Sequence, residues 1–131
     1  MTAFVLDASA SVELLLDTVV GERLQSKIPP GADWWVPEHY FVEVAGALRR
    51  VLIRGAAHKA LVLDAFESLV AAPLRRVQVR PLLAEAWKKR DNLTTADALY
   101  VALAEHLGAA LVTADMNLVN SPGVSVATIH P

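Results

Sequence analysis

Four acidic residues stand where carboxylates can take part in metal-ion chemistry: Asp7, Glu43, Asp97 and Asp115. Asp7 directly follows a short apolar run, and Asp115 follows a later one within two residues. Asp97 and Glu43 fall in the first and second turns of predicted helices. Carboxylates gathered at one place repel each other, so such a cluster persists only with a cation. Oxygen ligands without Cys or paired His select a hard ion, which predicts a Mg²⁺ or Mn²⁺ site.

Each acid also has a structural explanation when it is considered alone. Asp7 can cap the helix that follows it, and Asp97 can complete a capping box with Thr94. Asp115 can form an Asx-turn after its strand. Glu43 has Gly46 and Ala47 one turn on, so no basic side chain pairs with it there, although an exposed helical glutamate is usually solvated surface.

Composition narrows the class of protein. The chain has 131 residues, 54% of them hydrophobic, a mean hydropathy of +0.38 and a formal charge of −2, so we expect one folded domain over residues 1–131. It has no cysteine, which excludes disulfides and thiolate metal sites. No apolar run approaches the about 18–20 residues of a membrane span, and no signal peptide is evident. These features predict a soluble, cytoplasmic protein.

Short apolar runs alternate with amphipathic segments along the chain. Strands are predicted at Ala3–Leu6 and at residues 34–36, 77–80, 110–113 and 124–128. Helices are predicted at residues 9–17, 21–28, 38–54, 58–70, 81–89 and 94–106, with Ser9 and Ser11 as caps of the first and with Gly55 and Gly108 ending the third and last.

This alternation predicts an α/β fold, with helices on both faces of a central parallel sheet of four to five short strands. In such sheets ligands bind outside the carboxyl ends of the strands. Asp7 and Asp115 should therefore point into the same crevice. Asp97 and Glu43 can join them if their helices pack beside that edge.

Several motifs resemble PIN-domain proteins, and in particular the VapC toxins of bacterial type II toxin–antitoxin pairs. They are VLDAS at 5–9, PE at 37–38, EVA at 43–45, LRR at 48–50, LTTADALYVALA at 93–104 and LVTAD at 111–115. They occur in the family's order over nearly the whole chain. The stretch that begins at Asp97, together with Thr113-x-Asp115, is the most specific.

The resemblance implies a PIN-like three-layer fold, a homodimer and a Mg²⁺- or Mn²⁺-dependent endoribonuclease that cleaves RNA to inhibit translation and growth. It also implies a VapB-type antitoxin as partner. Asp7, Glu43, Asp97 and Asp115 occupy the family's four acidic positions, and Ser9 and Thr113 match supporting hydroxyl residues. Members often carry a basic residue after the last acid, where this chain has Met116-Asn117.

Roles for individual residues follow as hypotheses. We expect Asp7, Asp97 and Asp115 to bind the metal, with Glu43 completing its shell or orienting the attacking water. Ser9, Thr113 and Asn117 are candidates for orienting the carboxylates. Candidates for contact with RNA phosphates are Arg49, Arg50, Lys89 and Arg90, and Trp34, Trp35 and Tyr40 are candidates for base stacking or, more simply, for core packing.

Three other functions compete with the toxin. A response-regulator-like receiver has the same fold class, but here Asp7 has no acidic neighbour and no lysine follows Lys89. A non-catalytic nucleic-acid-binding module has no need for all four acids. A PIN-fold nuclease that acts in RNA processing or DNA cleavage is hard to distinguish from a toxin by sequence, although the small size favours the toxin.

Overall fold

The computed structural model describes residues 2–131, and its centre is a parallel sheet. The strands are β1 (Ala3–Leu6), β2 (Asp33–Pro37), β3 (Arg75–Val77), β4 (Ala110–Val112) and β5 (Thr128–Ile129). They lie in the order β3-β2-β1-β4-β5, and every neighbouring pair is parallel. The chain moves outward from β1 in both directions, so the strand order reverses between β1 and β4, where open α/β sheets bind ligands. The predicted fold class is confirmed.

Seven helices surround this sheet within residues 2–131. They are α1 (Ala8–Leu15), α2 (Val19–Lys27), α3 (Tyr40–Arg54), α4 (Lys59–Ala71), α5 (Leu83–Trp87), α6 (Thr95–Leu107) and α7 (Met116–Val119). Gly55 and Gly108 end α3 and α6 as predicted, with φ of 63° and 61°, the left-handed conformation that glycine adopts without a steric penalty. None of these helices combines the length and apolar character needed to cross a bilayer.

Helix α6 forms the middle of the core because it is apolar almost all round. Residues 98–104 are all buried, and the helix packs against β1 and β2. A helix buried on every face has little freedom to shift. The first turn of α6, which carries Asp97, is therefore held firmly beside the sheet.

Most predicted elements differ from the structure by one or two residues at an end, and three of the differences have a clear physical cause. Helix α3 begins at Tyr40 because the Glu38 N–H bonds to the carbonyl of Val77 (2.8 Å) and so continues the sheet; Glu43 thus lies in the first turn. Strand β3 lies at 75–77, and a 3-10 turn occupies Arg80–Leu82, where the predicted strand ended. The strand was missed because its two exposed arginines produce no alternation of apolar and polar residues. Strand β5 is confined to Thr128–Ile129, the residues that pair with β4.

The two serines predicted to cap α1 do not do so. Helix α1 begins at Ala8. The Ser9 hydroxyl donates to Asp7 Oδ2, and Ser11 Oγ lies 2.5 Å from the Tyr40 hydroxyl. Both serines therefore bind side chains of neighbouring elements instead of helix N–H groups.

Helices α1 and α2 touch so closely that Gly21 has no room for a side chain. A Cβ there would lie 2.3 Å from the carbonyl oxygen of Glu13, a backbone atom that cannot rotate away. We expect Gly21→Ala to lower the free energy of unfolding by about 1–3 kcal/mol, measured by urea denaturation. Gly46→Ala is the control, because its Cβ would meet only Arg50 Nη1 at 3.8 Å; equal effects of the two changes would contradict this packing argument.

Candidate active site

The four acids identified from the sequence surround one cavity of about 210 Å³. Asp7 and Asp115 come from the loops after β1 and β4, while Glu43 and Asp97 come from the first turns of α3 and α6. The other lining residues are Ala8, Ser9, Val12, Ala47 and Arg50. The predicted convergence of the four acids at the carboxyl edge of the sheet is confirmed. As expected, two of the acids reach the cavity from the starts of helices that pack beside this edge.

Asp7 is the most buried of the four acids, with 4% of its surface exposed. It occupies the N-cap position of α1, but its side chain makes no capping hydrogen bond. Instead its Oδ2 accepts hydrogen bonds from Ser9 Oγ (2.5 Å) and Thr113 Oγ1 (2.8 Å). Burial raises the pKa of Asp7; the two hydroxyls oppose this, and the charge of Glu43 adds to it. Asp7 is therefore the N-cap residue of α1 as predicted, but its carboxylate does not cap the helix.

Hydroxyl groups tie the two loops of the site together. Ser9 Oγ lies 3.2 Å from Thr113 Oγ1 and accepts the Ala114 N–H at 3.0 Å. Thr113 Oγ1 accepts the Asp115 N–H at 3.1 Å. Asp7 and Asp115 are thus linked through Thr113, so the backbone after β4 cannot move without disturbing both.

Asp115 has a capping role as well as a place in the cavity. Its Oδ1 accepts the N–H groups of Asn117 (3.0 Å) and Leu118 (3.3 Å) at the start of α7, as the turn explanation predicted. The Asn117 side chain makes no hydrogen bond within residues 2–131, and this residue contacts Asp115 through its backbone.

Asp97 opens α6 with half of the predicted capping box. Its N–H donates to Thr94 Oγ1 at 3.2 Å, while its carboxylate lines the cavity. Burial raises the pKa of Asp97, and the charges of Asp7 and Asp115 raise it further. Two of the four carboxyls therefore carry raised pKa values, each in part because of another acid of the group.

Glu43 has two side-chain partners, Tyr100 and His39, that were not predicted to belong to the site. The Tyr100 hydroxyl donates to Glu43 Oε1 at 2.6 Å, and His39 Nε2 lies 3.4 Å from the same oxygen. Burial and the adjacent Glu43 raise the pKa of Tyr100 far above its usual range, so the phenol stays protonated and donates. The signal was present, since Tyr100 lies three residues after Asp97 and so on the same face of α6.

The basic candidates for RNA contact lie in different places. Arg50 lines the acidic cavity and forms no ion pair within the described residues. Arg49 lines a groove between α3 and α4. Lys89 is paired with Glu105 at 3.0 Å, and Arg90 lies 5.2 Å from the centre of the Trp87 ring.

The aromatic candidates pack within the protein, the simpler of the two explanations. The Trp34 ring contacts Phe4 at 5.8 Å between centroids, and Tyr40 is buried. Trp35 donates its indole N–H to Asp33 and lies under the Arg75 guanidinium.

Comparisons with known proteins agree with this architecture. The PIN domain family model matches residues 4–122. Ribonuclease VapC12 of Mycobacterium tuberculosis is 40% identical over 121 residues, which cover 91% of this chain and 92% of the relative. Two solved structures share the fold. VapC20 of M. tuberculosis, a sarcin-ricin loop cleaving toxin, has a TM-score of 0.63, with 19% identity and 88% and 92% of the two chains covered. A toxin–antitoxin complex from Klebsiella pneumoniae has a TM-score of 0.61, with 15% identity and 96% and 97% covered. The chain therefore belongs to the PIN-domain family and, within it, to the proteins of the VapC type.

Proposed function

We propose that this protein is a Mg²⁺- or Mn²⁺-dependent endoribonuclease and the toxin of a type II toxin–antitoxin pair. The observation that carries the proposal is the gathering of four carboxylates, from four separate parts of the chain, around one cavity. Asp7 and Asp97 have pKa values raised by burial and by neighbouring acids. A divalent cation relieves such a concentration of negative charge. The name of VapC12, a ribonuclease, supports RNA as the substrate.

The residues present fit a hard divalent ion in their chemistry. Among residues 2–131, those lining the cavity offer carboxylate oxygens and no sulfur or imidazole ligand, the donor set that Mg²⁺ and Mn²⁺ prefer. Within residues 2–131 no three acidic or histidine side chains converge on a single ion position. Mg²⁺ does not require this, since it usually keeps several waters and binds through one or two carboxylates. Asp7, Asp97 and Asp115 would hold the ion either directly or through its bound waters, and the ion when bound would activate water and polarise a phosphodiester.

The chain's own residues supply the remaining steps. Ser9 and Thr113 orient the Asp7 carboxylate, and Glu43 completes the ligand shell or orients the attacking water. Attack in line with the leaving group breaks the P–O3′ bond and leaves a 5′-phosphate and a 3′-hydroxyl. Arg50 is the cationic side chain at this cavity within the described residues, and we assign it to a phosphate of the bound RNA.

Arg50→Gln is expected to raise KM for RNA about tenfold with a smaller change in kcat, because it removes a charge-assisted contact to phosphate. Steady-state cleavage of a labelled oligonucleotide measures both constants. Arg49→Gln is the matched control, since its side chain lines a different groove. Equal KM changes in the two variants would contradict the assignment of Arg50.

We further propose a homodimer and an antitoxin partner. Five large apolar side chains are more than 60% exposed within residues 2–131: Val19 (66%), Val42 (76%), Ile53 (64%), Val70 (69%) and Trp87 (62%). Val42 and Ile53 are eleven residues apart on α3, about three turns, and so lie on one face. Exposed apolar residues of this size commonly mark interfaces. The Klebsiella structure, described as a toxin–antitoxin complex, supports an antitoxin as one of the partners.

Expression in a bacterial host tests the biological part of the proposal. The intact chain is expected to arrest growth, and RNA from the arrested cells should carry new 5′-phosphate ends. Asp97→Asn should produce neither effect, and co-expression of a small adjacent antitoxin-like reading frame should restore growth. New RNA ends without growth arrest would contradict the toxin role and favour an RNA-processing nuclease.

A further inference from the structure

A single hydrogen bond connects the buried core to the carboxylate of Glu43. Tyr100 lies on α6 and Glu43 on α3, 57 residues apart, and the phenol donates to Oε1 at 2.6 Å. Tyr100 has 0% of its surface exposed, and its ring packs against His39 with 4.7 Å between centroids. Because every residue from 98 to 104 is buried, the position of this hydroxyl is set by the packing of the whole helix.

Glu43 needs such a restraint because its own surroundings are open. Its side chain is 34% exposed and lines the cavity at the end of a flexible stem. His39 is a weaker restraint, since Nε2 lies 3.4 Å from Oε1 but 3.0 Å from the carbonyl of Ala96, which competes for the same proton. Oε2 of Glu43 has no hydrogen-bond partner within residues 2–131.

We propose that Tyr100 is a positioning residue that holds Oε1 of Glu43 so that the carboxylate stays directed into the cavity. This inference rests on the proposed function, because it concerns the ligand shell of the proposed ion. Without the phenol, Glu43 can rotate toward solvent while Asp7, Asp97 and Asp115 remain in place. Partners that orient ligands in this way typically change metal affinity or activity about 10–100-fold when they are removed.

Tyr100→Phe tests the proposal, because it removes the hydroxyl and keeps the ring in the core. We expect kcat for RNA cleavage to fall about tenfold with KM within twofold, and the Mn²⁺ dissociation constant, measured by calorimetry, to rise about tenfold. Tyr40→Phe is the matched control. It removes another buried, hydrogen-bonded phenol, whose partner is Ser11, away from the cavity, and should leave both values within twofold. Thermal unfolding of the two variants separates any loss of stability from the loss of metal affinity.

A double-mutant cycle with Glu43→Gln decides whether Tyr100 acts through Glu43. The double variant should bind Mn²⁺ and cleave RNA no worse than Glu43→Gln alone. The proposal would be overturned if the losses caused by the two substitutions multiplied in the double variant. It would also be overturned if Tyr100→Phe bound Mn²⁺ and cleaved RNA as well as wild type. If wild type binds Mn²⁺ but cleaves no RNA, the proposed function is contradicted. The Mn²⁺ dissociation constants of wild type and Tyr100→Phe, measured by calorimetry, then still decide the role of Tyr100. Wild type that does neither contradicts both.

Discussion

Asp7→Asn is expected to lower the rate of RNA cleavage about 10³-fold while making the protein more stable. The loss of rate follows because, in the proposed function, the charge of Asp7 helps to hold the ion. Asp7 is also linked to the loop after β4 through Thr113. The gain in stability follows because the charged form of Asp7 is disfavoured by burial and by Glu43. An asparagine oxygen can still accept from Ser9 or Thr113. Steady-state kinetics and metal-free urea denaturation measure the two effects.

The stability difference between Asp7→Asn and wild type should depend on pH in a defined direction. The pKa of Asp7 is raised above 3.8 in the folded protein, so the folded state binds the proton more tightly than the unfolded state. The corresponding stability is present below pH 3.8 and is lost as the pH rises through the raised pKa. The variant should therefore gain over wild type with rising pH. Asp64→Asn, on an exposed part of α4, is the control; a variant less stable than wild type at pH 7 would contradict the burial argument.

Thr113→Val is expected to reduce cleavage about 10–100-fold and the free energy of unfolding by about 1–3 kcal/mol. Thr113 is fully buried. Its hydroxyl donates to Asp7 Oδ2 and accepts the Asp115 N–H, so valine leaves both groups short of a partner. The loss of a donor to Asp7 also raises the pKa of that carboxyl. The free energy of unfolding that the variant loses is therefore larger at neutral than at acidic pH.

Thr128→Val controls for the change of side chain itself. Thr128 lies in β5 and its hydroxyl forms no hydrogen bond within residues 2–131, so the substitution should leave cleavage and stability nearly unchanged. Kinetics and urea denaturation at pH 5 and pH 7 provide the comparison. If both threonine variants behave alike, the hydroxyl network does not support the site.

The architecture and the four acids were predictable from sequence because both rest on local patterns. The run at Ala3–Leu6 is too short for a helix and ends directly at Asp7, and a strand end determines where the next side chain points. Glycines at 55 and 108 ended their helices because they provide left-handed caps. The resemblance to the PIN family then placed the acids in one site.

Contacts that depend on the packing of distant elements could not be predicted. The bond between Tyr100 and Glu43 depends on how α6 lies against α3, which no spacing within either helix reveals. Arg49 and Arg50 are neighbours in sequence, yet they line different cavities because successive helical residues are rotated by about 100°. Strand β3 was misplaced because Arg75 and Arg76 belong to an edge strand that is polar and exposed, where no alternation of apolar and polar residues marks a strand.

Cleavage of a 5′-labelled single-stranded RNA by wild type and Asp97→Asn tests the central claim most directly. Asp97 is chosen because burial, together with the charges of Asp7 and Asp115, raises its pKa, and the part due to those charges couples it to two other acids of the site. Wild type with Mg²⁺ or Mn²⁺ should yield fragments with a 5′-phosphate and a 3′-hydroxyl. EDTA should abolish cleavage, and Asp97→Asn should lose it with the ion present. Equal cleavage by Asp97→Asn, or activity that survives EDTA, would contradict a metal site built from these four acids.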